Sequence, residues 1–288
     1  MLSVIIPSCN EQFLQPTIDG LIESAEGDIE IIAVLDGDWP KVPIKDDPHV
    51  VLIHHTRHGM REAINEAARI AKGKYIMKCD GHCSFDKGFD IKLAADCEPD
   101  WLAVPTRYSL DAEKWKRKPD DSKTVNYLYI IPPIKKKPED GRYWEPGYSG
   151  VIWRGYEEER NRKDVLIDDL MTFQGSCWFM HRDYYFKIGC MDDTIGGTFT
   201  REAQELGNKV WLSGGRVIRN KKTWYAHLHK GKQYGRGYYL ARKEIQQGSE
   251  RIVDYWMNNR WPGQIRDFKW LIDHFAPVPG WEKYEWTS

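Results

Sequence analysis

The sequence lacks any long apolar run. No stretch among its 288 residues approaches the roughly 20 consecutive apolar residues that a membrane-spanning helix needs, so we predict no transmembrane segment. The first residues, MLSVIIPSCNE, have no basic leader and are typical of a β-strand, which predicts that a signal peptide is absent. We therefore expect a cytoplasmic protein.

The sequence also lacks an excess of either charge. It has 42 basic and 43 acidic residues, and its net charge is −1 when the histidines are neutral. This balance argues against a general nucleic-acid or membrane-surface binder, although it is compatible with a local basic patch. The six cysteines follow no repeated pairing pattern and are expected to be reduced, buried thiols.

The first 110 residues do contain a regular alternation of strand and helix patterns. Apolar, β-branched runs predict strands at 2–7, 29–36, 50–55 and 73–80. Helical spacing of apolar residues predicts one helix between the first two strands and another over 59–72. This alternation predicts an α/β fold in which helices flank a mostly parallel sheet.

Ligands of such sheets bind beyond the carboxyl ends of the strands. Three polar segments follow strand ends here, at 7–11, 36–38 and 80–82. We therefore expect these segments to converge on one edge of the sheet and to form the functional site.

The pattern weakens after residue 110. Residues 111–148 mix charges, prolines and aromatics, which predicts a long excursion with a β-hairpin near VNYLYIIPP, shaping an acceptor site or a lid. Order returns with a strand and a short helix within 172–189, a helix over 200–215 and a strand over 216–230. The remaining residues, 231–288, are expected to form a C-terminal helical and loop extension packed on the domain.

The segment KYIMKCDGHCSFD (74–86) concentrates residue types that bind metals. Cys79, His82 and Cys83 suggest structural zinc, but such a site needs four ligands and no second Cys or His pair has suitable spacing. Asp80 and His82 offer a carboxylate and an imidazole on one side of an extended strand end. This pair suits Mn²⁺ or a similar ion that binds phosphate oxygens. His227, or with less support His229, follows a later strand and is the candidate third ligand.

Several motifs in order resemble those of GT-A glycosyltransferases, particularly glycosyltransferase family 2. They are SVIIPSCNE, AVLDGD and HGMREAINEAARIAKGKYIMKCDGHC. The DGHC form resembles the Asp-x-His motif of the polypeptide N-acetylgalactosaminyltransferases. Later segments of those enzymes are similar to three further segments of this sequence, TFQGSCWFMHRDYYFKIGCMDD, REAQELGNKVWLSGG and WYAHLHK. The similarity covers roughly residues 1–110 and 170–230.

The resemblance implies a GT-A domain over 1–230, divided into a nucleotide-sugar-binding half (1–110) and an acceptor half (111–230). It also implies a role for each matching residue. Asp80, His82 and His227 would bind Mn²⁺ or Mg²⁺, and Glu202 would face the acceptor as the catalytic group. The donor site would comprise Pro7, Asn10, Glu11, Asp36, Gly59, Arg61 and Asp80, with Arg61 placed to pair with phosphate.

The motif around Glu202 departs from the inverting members of family 2. Those enzymes commonly carry Glu-Asp with the aspartate as base, whereas this sequence has Glu202-Ala203. Glu202 meets the chemical requirement for a general base, while the metal motif resembles that of a retaining group, so the stereochemistry stays open. For Glu205, a structural hydrogen-bonding role is an equal alternative to a functional one, and for Arg61 the alternative is an exposed helix residue.

The predicted function is metal-dependent transfer of a sugar from a nucleotide diphosphate-sugar, most simply a UDP-sugar, to an acceptor hydroxyl. The donor type would be a hexosyl or N-acetylhexosaminyl nucleotide. A sugar-nucleotide pyrophosphorylase is the enzyme alternative, although SCNEQFLQ lacks the glycine-rich, basic loop that such enzymes need after the first strand. An inactive nucleotide-sugar-binding module is the other alternative.

Two features of the second half bear on partners. The basic, glycine-containing segment that follows His227 predicts a lid in which Lys230, Lys232 or Arg236 contacts phosphate, and a solvated basic loop is the equal alternative. Aromatic residues crowd the second half, where they pack or stack on sugars or bases. The acceptor is therefore open among a saccharide, a protein, a small molecule and a modified nucleic-acid base, and the oligomeric state is open as well.

Overall fold

The structure is a computed structural model that describes residues 1–37, 39–119, 124–134, 139 and 144–286. Asp38, one of the residues expected at the carboxyl edge of the sheet, lies outside these ranges, as do parts of the predicted excursion.

Twelve strands occur within the described residues. In chain order they are β1 (Leu2–Ser8), β2 (Ile29–Asp36), β3 (Val50–His55), β4 (Tyr75–Cys79), β5 (Cys83–Phe85), β6 (Trp101–Asp111), β7 (Lys116–Arg117), β8 (Leu128–Ile130), β9 (Gly150–Ile152), β10 (Ile167–Asp169), β11 (Cys177–His181) and β12 (Arg216–His227). The four strands predicted in the first 80 residues are all present, and β2 and β3 have the predicted bounds.

Ten α-helices occur in the same part of the chain. They are α1 (Leu14–Ser24), α2 (Met60–Ile70), α3 (Phe89–Ala95), α4 (Tyr156–Glu159), α5 (Arg182–Lys187), α6 (Asp193–Gly196), α7 (Glu202–Leu212), α8 (Gly231–Tyr234), α9 (Arg242–Met257) and α10 (Phe268–His274), followed by a 3₁₀ turn at Trp281–Lys283. None of the described helices has the length and apolar character that a bilayer crossing requires.

The main sheet has the strand order β10-β12-β6-β11-β4-β1-β2-β3, with β5 beside β12 and β7 beside β6. Strands β3, β2, β1 and β4 pair in parallel, and so do β6 and β12. Strand β11 lies antiparallel between β4 and β6, so that β6 runs in the same direction as β4. The prediction of an α/β fold with a mostly parallel sheet is confirmed.

Apolar side chains cover both faces of the sheet because strand residues alternate between the faces. One face, which includes Ile5 and Ile76, packs on α2 and α7. The other face, which includes Val4 and Met77, packs on α1 and α3. The C-terminal extension joins the first layer, since Trp256 and Phe268 are fully buried there. The predicted domain boundaries at residues 110 and 230 stay predictions.

The excursion after β6 differs from the predicted hairpin. Residues of VNYLYIIPP form β8, but its antiparallel partner is β9, twenty residues further along the chain. The Ile131–Ser149 and Trp153–Tyr127 backbone hydrogen bonds extend this pairing on both sides. The prediction of a local hairpin was therefore wrong, and β8 and β9 instead form a separate two-stranded antiparallel sheet.

Candidate active site

The carboxyl ends of β1, β2 and β4 meet at one cleft of about 690 Å³. Pro7, Asp36 and Asp80 line it, as expected for ligand-binding residues that follow strand ends. The opposite wall is formed by Leu128, Gly150 and other residues of β8 and β9. The cleft thus lies between the sheet edge and the excursion.

Asp80, His82 and His227 gather on the sheet side of this cleft. One possible ligand atom from each lies within 4.8 Å of the others. The Nε2 atom of His227 is 3.1 Å from Oδ2 of Asp80, and Nε2 of His82 is 3.9 Å from the same oxygen. Among the described residues, this is the one group of three or more such side chains that could hold a metal ion.

Strand pairing explains why residues so far apart in sequence meet. Strand β4 ends at Cys79, and the Asp80 amide donates a hydrogen bond to the carbonyl of Ser176. Strand β12 pairs antiparallel with β5, which places His227 opposite Cys83. The Leu228 amide then donates to the carbonyl of His82. His227 is thereby fixed beside the turn that carries Asp80 and His82.

The charge states of Asp80 and His227 suit a divalent cation. Burial raises the pKa of Asp80, but the Lys78 ammonium and the His227 hydrogen bond outweigh it, so the net pKa lies well below its usual range. Burial lowers the pKa of His227 to about 4, so its imidazole is neutral near neutral pH. A carboxylate with two imidazoles is a donor set for Mn²⁺ and similar ions, and these residues therefore fit the predicted metal.

Cys79 and Cys83 do not belong to the metal group. Both side chains are fully buried among the apolar residues on the α1 side of the sheet. Burial raises the pKa of both thiols well above the usual range, which disfavours the thiolate that would bind a metal. All six cysteines lie within the described residues and none of them forms a disulfide, and Cys9 and Cys190 are only partly buried. The structural zinc alternative is therefore not supported.

Lys78 lies beneath the metal group, and the sequence analysis did not single it out. Its side chain is 1% exposed, and its ammonium lies 2.8 Å from Asp80 Oδ1 and 3.3 Å from Glu202 Oε2. It also donates a 2.5 Å hydrogen bond to the carbonyl of Gly175. The signal was present as a lysine within an otherwise apolar strand, since a buried lysine needs anionic partners.

Glu202, the predicted catalytic residue, is buried at the edge of the cleft. Its Oε1 atom accepts a 2.9 Å hydrogen bond from the Trp178 indole, while Oε2 faces Lys78. Burial raises the pKa of Glu202, and Lys78 and Trp178 only partly offset this effect. Lys78 thus joins Glu202 and Asp80 through one ammonium.

The donor-side residues have unequal positions. Glu11 accepts hydrogen bonds from His82 Nδ1 at 2.9 Å and from Lys230 Nζ at 2.7 Å. Burial raises the pKa of Glu11, but these two partners outweigh it and lower the net pKa. Asn10 is exposed and lines an adjoining depression of about 380 Å³ instead of the main cleft. Within the predicted lid, Lys230 and Arg236 line the cleft, whereas Lys232 is exposed outside it.

Asp36 and Gly59 fix the backbone beside the donor side of the cleft. The Asp36 carboxylate accepts hydrogen bonds from the amides of His58 and Gly59 at 2.6 and 3.0 Å. Gly59 has a φ of +98°, and a Cβ atom there would lie 2.4 Å from the Cβ of Thr198. Both the positive φ and the close approach require glycine.

The prediction that Arg61 pairs with phosphate needs correction. Its side chain is fully buried, and its Nε atom lies 2.8 Å from Glu205 Oε2. The remaining guanidinium nitrogens donate to the carbonyls of Gly197 and Thr200. Every nitrogen is thus engaged below the cleft, because Arg61 joins α2 to the segment that leads into α7. Glu205 is likewise fully buried and also pairs with Lys209, so it has the structural role considered as an alternative.

The fold and this site define a nucleotide-sugar enzyme of the GT-A class, and comparison with known proteins agrees. The model of the family described as "Glycosyl transferase family 2" matches residues 3–189, so the chain belongs to that family. An uncharacterized glycosyltransferase of Escherichia coli K12, YibD, is 23% identical over 274 residues, which are 88% of this chain and 74% of the relative. The family match favours a glycosyltransferase over the pyrophosphorylase alternative.

Animal relatives and a solved structure extend the similarity. The probable N-acetylgalactosaminyltransferase 9 of Caenorhabditis elegans is 23% identical over 71% of this chain, which spans only 34% of that relative. The crystal structure of GalNAc-T7 with UDP, GalNAc and Mn²⁺ superposes with a TM-score of 0.70 at 16% identity, and it covers 96% of this chain and 56% of that one. The GT-A fold is therefore confirmed, while this chain matches only part of those longer proteins.

Proposed function

We propose that the protein is a metal-dependent glycosyltransferase that moves a sugar from a UDP-sugar to an acceptor hydroxyl. The observation that carries this proposal is the placement of Asp80, His82 and His227 in the same cleft as Glu202, with Lys78 between the two carboxylates. The animal relatives named as N-acetylgalactosaminyltransferases support an N-acetylhexosaminyl nucleotide as the first donor to test.

In this proposal, Asp80, His82 and His227 would hold Mn²⁺ or Mg²⁺, which neutralises negative charge on the diphosphate when bound. The chain's own groups act around it. Lys230 and Arg236 line the donor side of the cleft, where their charges attract the diphosphate. Pro7, Asp36 and Gly59 shape the wall that would receive the nucleoside.

Glu202 is proposed to position the acceptor hydroxyl and to take up its proton. Its two oxygens each have one protein donor, Trp178 and Lys78, so each keeps a lone pair for a further hydrogen bond. Burial favours the protonated form of this carboxyl, which makes it a stronger base than an exposed glutamate. Ala203, at the position of the usual aspartate base, leaves this role to Glu202. The predicted cytoplasmic location stays a prediction.

The test is hydrolysis and transfer across a panel of UDP- and GDP-sugars, with Mn²⁺ and with a chelator. We expect turnover of at least one UDP-sugar that stops on chelation and in Asp80→Asn. Asp183→Asn is the matched control, because the Asp183 side chain is 99% exposed and the residue is not among those that line the cleft. An inactive sugar-binding module would bind UDP without turnover, and absence of both binding and turnover would overturn the proposal. The anomeric configuration of the product distinguishes retention from inversion.

A further inference from the structure

We propose that the acceptor is anionic, with a phosphate or carboxylate group near the accepting hydroxyl, and that Arg107 binds this group. The inference rests on the proposed function and names the class of acceptor that the cleft selects. It is carried by the position of Arg107, by the charge balance of the cleft and by a second arginine, Arg201, which precedes Glu202.

Arg107 lies close to the cleft wall that β8 and β9 form, which we call the acceptor wall. It belongs to β6, and its carbonyl accepts a 3.0 Å hydrogen bond from the amide of Val125, which begins the path to β8. Arg107 lines the cleft next to His227. A group bound to this guanidinium would therefore lie against the acceptor wall.

The guanidinium of Arg107 has few partners within the protein. One terminal nitrogen lies 3.3 Å from Nδ1 of His227, and the Nε atom is buried without a hydrogen-bond partner. No carboxylate of the described residues lies within ion-pair distance of Arg107. Arg107 is partly buried, and an arginine fork matches phosphate and carboxylate geometry. Its guanidinium therefore has donors left for an anionic group.

The cleft as a whole has more cationic than anionic side chains. Six cationic residues line it, namely Arg57, Lys78, Arg107, Arg201, Lys230 and Arg236. Four carboxylates face them, on Glu11, Asp36, Asp80 and Glu202. Arg201 is already paired with Glu145, which leaves a smaller excess of positive charge in the cleft. A divalent cation and a donor diphosphate largely offset each other's charge, so this excess persists after the donor binds and favours a further anion.

A second arginine supports placing that anion on the acceptor. Arg201 precedes Glu202 at the start of α7, and its Nε atom is also buried without a partner. Its terminal nitrogen pairs with Glu145 and contacts the Gly147 carbonyl, both in the excursion. The donor side already has Lys230 and Arg236 for the diphosphate. Arg107 and Arg201 are thus cleft-lining cations that contact the excursion.

The test measures anion binding by calorimetry with the donor side already filled. The full-length protein is saturated with UDP and Mn²⁺ and titrated with glucuronate, with inorganic sulfate and with glucose as the neutral match, at constant ionic strength. We expect glucuronate and sulfate to bind at least about ten-fold more tightly than glucose, and Arg107→Gln to weaken both anions by about ten-fold or more. Arg107→Lys should retain part of the affinity, and both variants should keep the wild-type affinity for UDP.

Arg69→Gln is the matched control, because Arg69 is exposed on α2, where it pairs with Glu62. Equal binding of glucuronate and glucose would overturn the inference, as would an equal loss in Arg69→Gln. Weaker UDP binding in Arg107→Gln would instead assign this arginine to the donor. Thermal unfolding of each variant identifies any loss of folding, in which case Arg107→Lys decides the result. Failure of the proposed function is distinguishable, since it appears as absent UDP binding or donor hydrolysis in the wild type.

Discussion

Replacement of Arg61 by methionine tests whether this residue is structural. In the structure its side chain is fully buried and pairs with Glu205, which is also fully buried. Methionine would fill much of the volume but would leave the Glu205 carboxylate with Lys209 and the Asp192 amide as its remaining partners. The carbonyls of Gly197 and Thr200 would also lose their donors.

Removing one partner of a buried ion pair costs about 3–5 kcal/mol. At about 2 °C per kcal/mol for a chain of this size, the midpoint of thermal unfolding should fall by about 6–10 °C. Urea unfolding should show the same loss of free energy. Adding Glu205→Gln to Arg61→Met should cost less than the sum of the two single changes, because both remove the same pair.

The control is Arg69→Met, because Arg69 is exposed and lies about two turns after Arg61 on the same helix, α2. It should change the free energy of unfolding by no more than about 0.5 kcal/mol. If Arg61→Met keeps the wild-type midpoint and weakens UDP binding instead, Arg61 is a phosphate ligand after all and the structural assignment is wrong.

Two further substitutions, at Lys78 and at Gly59, test the network that joins Asp80 to Glu202 and the donor side of the cleft. Lys78→Met leaves Asp80 and Glu202 without their shared ammonium, and it should lower the free energy of unfolding by about 3–5 kcal/mol in a urea titration, with partial recovery when Glu202→Gln is added. Full stability of Lys78→Met alone would contradict this network. Gly59→Ala places a Cβ atom 2.4 Å from Thr198 at a φ of +98°, so thermal unfolding should reveal a loss of about 1–3 kcal/mol. A neutral effect would mean that the loop after β3 is free to adjust.

Much of the fold was predictable because the sequence patterns that indicate strands and helices are local. Strands β2 and β3 both appear as short apolar runs, which explains why they have the predicted bounds, although β2 is buried along its whole length and β3 is an edge strand. The position of Asp80 and His82 after a strand also placed them at the carboxyl edge of the sheet. His227 was predicted by the same reasoning, applied to the end of a distant strand.

The errors come from contacts between segments far apart in the chain. Arg61 carries the same sequence pattern whether it faces phosphate or Glu205, which lies 144 residues away. Lys78 shows its role only when Glu202, 124 residues away, packs beside it. Strand β8 was assigned to a local hairpin because nothing in its own sequence specifies β9 as the partner. Such pairings depend on tertiary packing, which local patterns do not encode.

The proposed function depends on metal binding by Asp80, His82 and His227, and a direct measurement of Mn²⁺ binding tests this most simply. Electron paramagnetic resonance of free Mn²⁺, titrated into the protein with UDP present, measures the affinity without turnover. We expect saturable binding that His227→Ala weakens by at least about ten-fold and that the exposed-site control Asp183→Asn leaves unchanged. Wild-type Mn²⁺ affinity in His227→Ala would contradict the assignment of the metal site, because His227 would then not bind the ion together with Asp80 and His82.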